Sequence, residues 1–173
     1  MTAPVAACAT EPASPAPSPA PSGSDSPNIN PATGLSTDYL NHFTEAIMAL
    51  EMAAGVPECL DDLRAWQPRT YVEHFACSRF ARREAVIGAY HAADPLVRET
   101  LDAAAETLNA VLAHTRDVVA AHAQTPAADE LTRRALDWLK PLLARTAAVI
   151  NGNAPEGVDR QGPQAAIDAI FAR

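Results

Sequence analysis

The sequence predicts an all-α fold: an irregular up-and-down helical bundle behind a disordered N-terminal tail. Three observations lead there. Apolar residues recur at spacings of three and four in three long segments, which places them on one face of a helix. No segment alternates apolar and polar residues over strand length with β-branched enrichment. Residues 1–33 carry eight of the 15 prolines, mixed with Ala, Ser and Gly, so little in them could bury enough surface to offset the entropy of ordering.

That tail reads as an extended, partly polyproline linker whose only charges are Glu11 and Asp25. Val5-Ala6-Ala7-Cys8 has the look of a lipoprotein cleavage box. Only seven residues precede the cysteine, too few for a charged region and an apolar core, so no export signal is expected.

A single helical domain is expected over residues 34–173. Ser36 or Thr37 can cap the first helix, and Asp38 suits the positive end of its dipole. Leu40, Phe43, Ile47, Leu50 and Ala54 form its core stripe, and Gly55 with Pro57 stops it. A short helix then ends at Pro68. One or two more lie in residues 70–94, with Phe80, Ile87 and Tyr90 on one side and Val86 beside them. Asp94-Pro95 opens the clearest element, since proline is tolerated at the first helical position. Its expected stripe is Val97, Leu101, Ala104, Leu108, Val111, Thr115, Val118 and His122. Thr125-Pro126 ends it. The next helix covers residues 128–150, with Leu131, Ala135, Trp138, Leu142 and Val149 on one face and a kink near Asp137 imposed by Pro141. Asn151-Gly152-Asn153 caps it, and Gln164–Phe171 forms the last helix.

Composition narrows the function. The net charge of −8 disfavours binding to nucleic acid or to an anionic membrane, both of which need a positive field. No apolar run is long enough to span a bilayer. Lys140 is the only lysine, and with the many alanines this suits a GC-rich, bacterial coding sequence. Cys8, Cys59 and Cys77 show no metal-site spacing, and an odd count reads as reduced thiols in a cytoplasm. Glycine-rich phosphate loops and the common hydrolase and kinase signatures are missing. No catalytic residue, metal or cofactor is therefore expected.

Several side chains are candidates for chemistry. His42-x-x-Glu45, with Asp38 and Glu51 on the same helix and Glu106 and His114 on another, is the nearest approach to a ferritin-like carboxylate and histidine site. Glu45 and Glu106 point away from their core stripes, which argues for solvated faces instead. Histidine phosphotransfer would need an exposed His42, His91 or His114, and the residues following them do not fit. Cys77 with His74 and Glu73 could form a thiol pair, but a small core residue is the simpler reading. His122 reads as a helix-end histidine beside terminal carbonyls.

The function expected is non-catalytic: a helical interaction or regulatory module that binds a protein partner or a second copy of itself. Asn41, Glu45, Met48 and Met52 make a second stripe on the first helix, opposite its core face. Methionine adapts to partners and is favoured on recognition surfaces. The competing reading is that residues 57–93 cover this stripe within the molecule. Arg69, Arg79, Arg82 and Arg83 form a candidate basic patch that would orient an acidic group, against the alternative of pairing with Glu73 and Glu84.

Overall fold

The computed structural model describes residues 28–53, 56–122, 125–153 and 163–171. Among them are seven α-helices: α1 (Leu40–Met52), α2 (Pro57–Ala65), α3 (Tyr71–Cys77), α4 (Arg83–Ala92), α5 (Pro95–Ala121), α6 (Pro126–Ile150) and α7 (Pro163–Phe171). The fold is all-α, and the described residues include no strand, only an isolated bridge between Ile29 and Ser36. Residues 1–27, most of the expected tail, lie outside the described residues.

The packed chain begins before Gly34. Asn28 donates from its side chain to Asp38 at 3.1 Å. The Asn30 amide donates to the Leu35 carbonyl at 2.8 Å, closing a loop whose turn needs Gly34 at φ +71°. Thr33 is buried, and its hydroxyl donates to the Ile150 carbonyl at 2.6 Å. Ser36 then caps a 3-10 turn, Thr37–Tyr39, that leads directly into α1.

The long antiparallel pair α5 and α6 is the spine. Helix α1 packs on both of its members, α2 bridges α1 and α5, α3 pairs with α4, and α7 lies mainly on α5. The core runs through Leu35, Tyr39, Phe43, Leu50, Leu63, Leu101, Leu108, Leu112, Leu139 and Ile150, all fully buried.

Two stripes hold in part: Leu101, Leu108, Val111 and Thr115 of α5 and Ala135 and Val149 of α6 are buried as expected. In α5 the buried residues include Leu101, Ala105, Leu108, Leu112, Thr115 and Val119, whereas Ala104 and Val118 are only half-buried and His122 is exposed. Helix α5 is packed by α1, α2, α6 and α7, so its buried sector is wider than a coiled-coil seam and takes in Ala105, Leu112 and Val119 as well. In α6 Thr132, Ala135, Leu139 and Thr146 are buried, while Trp138 is 37% exposed. This helix continues through Pro141, whose side faces solvent, so water can serve the freed carbonyl. Its end is a Schellman motif: Gly152, at φ +73°, donates to Val149, and Asn153 donates to Ala148 at 2.8 Å. His122 ends α5 with Nδ1 2.9 Å from the Val118 carbonyl. Cys77 is exposed, not a core residue; it is the last residue of α3, where the chain turns out of the helix.

Candidate functional site

The connection between α1 and α2 is short, so the two helices run back to back. The Val56 amide donates to the Met52 carbonyl at 2.9 Å at the near end. At the far end the Trp66 indole N–H donates to the His42 carbonyl, also at 2.9 Å. Between these ties lies a groove of about 540 Å³. Its α1 wall presents Glu45, Met48 and Met52, with His42, Ala46 and Ala49 beneath them. Cys59, Asp62 and Ala65 of α2 form the other wall, followed by Trp66, Gln67 and Arg69.

The segment after α2 is held in place by α5 and by the 3-10 turn. Its Trp66 carbonyl accepts from Arg116 of α5 at 2.9 Å. Its Arg69 carbonyl accepts from the Tyr39 hydroxyl at 2.8 Å and from the Asn109 amide at 3.0 Å. Immediately after it, Thr70 and Glu73 form a reciprocal capping box that starts α3. The hydrogen bonds that Glu73 accepts from Thr70 hold its carboxyl below the usual range. The groove is thus bounded by fixed backbone, which lowers the ordering cost for anything that binds there.

Beneath the groove is a cluster of rings. His42 is only 5% exposed and stacks on Trp66 at 5.0 Å between centroids. His74 lies 5.6 Å from His42 and 5.6 Å from Tyr39, whose ring meets Phe43 and Tyr71 edge-on. His42 Nε2, His74 Nδ1 and Asn109 Oδ1 are buried with no hydrogen-bond partner. Burial, helped by the neighbouring His74 and Arg69, pushes the His42 imidazole down to about 4. Burial and Arg69 also lower His74, against the opposing pull of Glu45 and Asp38. Burial raises the Tyr39 phenol far above its ordinary value and takes Tyr71 to about 12. At neutral pH the cluster is therefore uncharged.

The residues singled out in the sequence divide between two places. Asn41, Glu45, Met48 and Met52 are all exposed; Met48 and Met52 are 52% and 48% exposed, and the latter three line the groove. Arg69 joins them at the rim. Arg79, Arg82 and Arg83 belong to the α3–α4 turn and do not line the groove. There Arg83 lies 3.6 Å from Glu84 and donates to the Ser78 carbonyl. The expected pairing of Glu73 with these arginines is replaced by its bonds to Thr70.

The candidate metal-ligating set is dispersed. Asp38 accepts from Asn28, Glu51 pairs with Lys140, Glu106 is exposed and His114 meets Phe171 edge-on at 4.6 Å. Among the described residues, no three His, Cys, Asp or Glu side chains gather as a metal-binding group. A phosphotransfer role is closed to His42 by its burial, while His91 stays exposed. Sequence reasoning missed His74, Trp66 and Asn109 as partners in the cluster. One signal was available: His42, Ala46 and Ala49 share a helix flank, and two small residues there leave room for a neighbouring ring.

The chain matches no protein family, no curated protein and no solved structure in comparisons with each. No helix of the described residues is long and apolar enough to cross a membrane.

Proposed function

We propose that this is a non-catalytic protein-recognition module, and that the α1–α2 groove is its recognition surface. One observation carries the reading. Met48 and Met52 stay about half exposed although α2 runs directly beside them. Helix α2 forms the opposite wall of a cleft and does not close over the methionines. Two adaptable thioethers beside Trp66 are suited to enclosing apolar side chains of a partner protein or of a second copy of the chain.

Magnitudes say how much of the groove must take part. Burying a methionine fully contributes about 1.5–3 kcal/mol, whereas a micromolar complex needs about 8 kcal/mol net of ordering costs. The methionines alone do not reach it, so Trp66 supplies further apolar contact. Arg69 has no ion-pair partner among the described residues and is available for a carboxylate at the rim.

Affinity capture from the source cell tests this, with the parent chain beside a Met48→Asp, Met52→Asp variant whose helicity is checked by circular dichroism. Sedimentation of both reports self-association. A partner or a dimer held by the parent and lost by the folded variant supports the reading. Equal capture by both, with equal sedimentation, overturns it.

A further inference from the structure

We propose that the α1–α2 groove takes a short basic amphipathic helix of a partner protein, laid along α1 with its apolar side on Met48, Met52 and Trp66. This rests on the reading of the groove as a recognition surface and names the chemistry of the partner.

The walls decide the form of the ligand. Both are helices, whose backbone N–H and C=O groups are bonded within each helix, so an extended peptide finds no strand edge to join. A helix arrives with its own backbone bonds made and needs only an apolar groove. From His42 to Met52 the α1 wall is roughly 15 Å long at about 1.5 Å per residue, which about three turns of a partner helix span. Over that length, apolar residues spaced by three and four all face one way. They would meet Trp66 at one end, Met48 in the middle and Met52 at the other, where the exposed Val56 extends the apolar line.

Charge decides its sign. Glu45 stands on the α1 wall and Asp62 on the α2 wall, both exposed and neither in an ion pair among the described residues. By contrast, Glu51 and Asp61 on the same two helices are matched internally, by Lys140 and Arg64. A lysine or arginine on either flank of the partner's apolar side therefore finds a free carboxylate on the wall beside it. Exposed pairs contribute little each, so they select sign and orientation while the apolar side supplies affinity. Arg69 is the one cation lining the groove, and it sits past Trp66. It suits the C-terminal end of the partner helix, which carries partial negative charge, so the partner runs antiparallel to α1.

The chain as a whole points the same way. Its net charge of −8 draws a basic segment in and opposes a second acidic copy. Met48 and Met52 accept apolar side chains of differing shape, so the groove reads the pattern of the partner helix more than its identity.

Synthetic probes supply the test. An end-capped peptide of about 14 residues carries leucines at helical spacing with lysines elsewhere. A second has glutamate for every lysine, and a third has the leucines and lysines scrambled so that no apolar side forms. Trp138 lies on α6 and does not line the groove, so Trp138→Phe in the full chain leaves Trp66 as the sole indole reporter. At about 0.15 M ionic strength the amphipathic lysine peptide should shift the Trp66 emission and bind at least about fivefold more tightly than either other peptide. With Glu45→Lys and Asp62→Lys added, both at exposed positions in a chain that stays acidic overall, the glutamate peptide should become the tighter ligand. An unchanged order there overturns the inference, because the attraction then belongs to the whole chain. Equal binding of the scrambled peptide overturns it too, as does a dimer of the parent that excludes the lysine peptide. Any of these, beside partner capture that still depends on Met48 and Met52, removes the basic helix and leaves the recognition surface standing.

Discussion

Trp66 makes two contacts with His42 at once: its indole N–H donates to the His42 backbone carbonyl at 2.9 Å, and its ring stacks on the imidazole at 5.0 Å. The segment leaving α2 is thereby fixed to the first turn of α1 through one residue. The imidazole is trapped between that indole and the Tyr39–His74 cluster, which keeps it neutral.

A pH dependence follows. His42 is lowered to about 4 from an ordinary 6.5, and His74 is lowered too. Between these values the unfolded chain binds more protons than the folded one. Stability is therefore complete above pH 6.5 and is lost as pH falls through the window towards 4. For His42 the loss is on the order of 2 kcal/mol once solvent reaching the ring from the groove is discounted. Thermal melts from pH 7 to 4.5 should show the parent falling by several degrees more than His42→Phe. Parallel curves would remove the imidazole as the cause.

The exposed and buried apolar positions of α1 should differ sharply. Phe43→Ala opens a cavity at a fully buried ring and should cost about 3–5 kcal/mol. Met48→Ala, at a side chain 52% exposed, should stay within about 0.5 kcal/mol. Urea titrations of both read the difference. A Met48→Ala loss above 2 kcal/mol would mean that the methionine serves the core.

Two glycines should respond with opposite sign. Gly34 is left-handed, and a Cβ there would meet the Ala89 carbonyl oxygen at 3.1 Å. Gly34→Ala is expected to cost about 1–2 kcal/mol. Gly88 lies within α4 with nothing near a Cβ, so Gly88→Ala should gain about 0.5–1 kcal/mol. Melting temperatures moving in the same direction would contradict the backbone argument.

The capping box at α3 is open to the same kind of measurement. Helix α3 has only seven residues and little cooperativity of its own, so its start depends on Thr70 and Glu73. Thr70→Ala should lower stability by about 1 kcal/mol, and Thr70→Ser should restore most of it. Amide exchange should quicken first at Glu73 and His74. No change at either site would assign the start of α3 to packing by Tyr71 and Phe75 instead.

What could be read from sequence followed from how many neighbours each helix has. Phe43, Ile47 and Leu50 were legible because the apolar face of α1 turns one way, and Ser36, Pro95 and Gly152 because capping chemistry is local. In α5 and α6 the periodicity held at Leu101, Leu108, Val111, Thr115, Ala135 and Val149, but the buried sector extends beyond the expected stripe. Ala104 against Ala105, and Trp138 against Leu139, differ by a rotation that only packed neighbours decide. The imidazole cluster lay further out of reach. It brings together residues 39, 42, 66, 74 and 109 from five segments, and hydropathy ranks histidine as polar whatever surrounds it. The methionine stripe was found because its spacing is internal to one helix, whereas its opposite wall on α2 was not.

The bond from Thr33 to the Ile150 carbonyl joins positions 117 apart in sequence. It places the loop around Thr33 across the final turn of α6, where Gly152 comes close to the Thr33 methyl. Loss of the entry loop therefore also strips a hydrogen bond from the last turn of α6, so the two ends of the helical domain are held by one another.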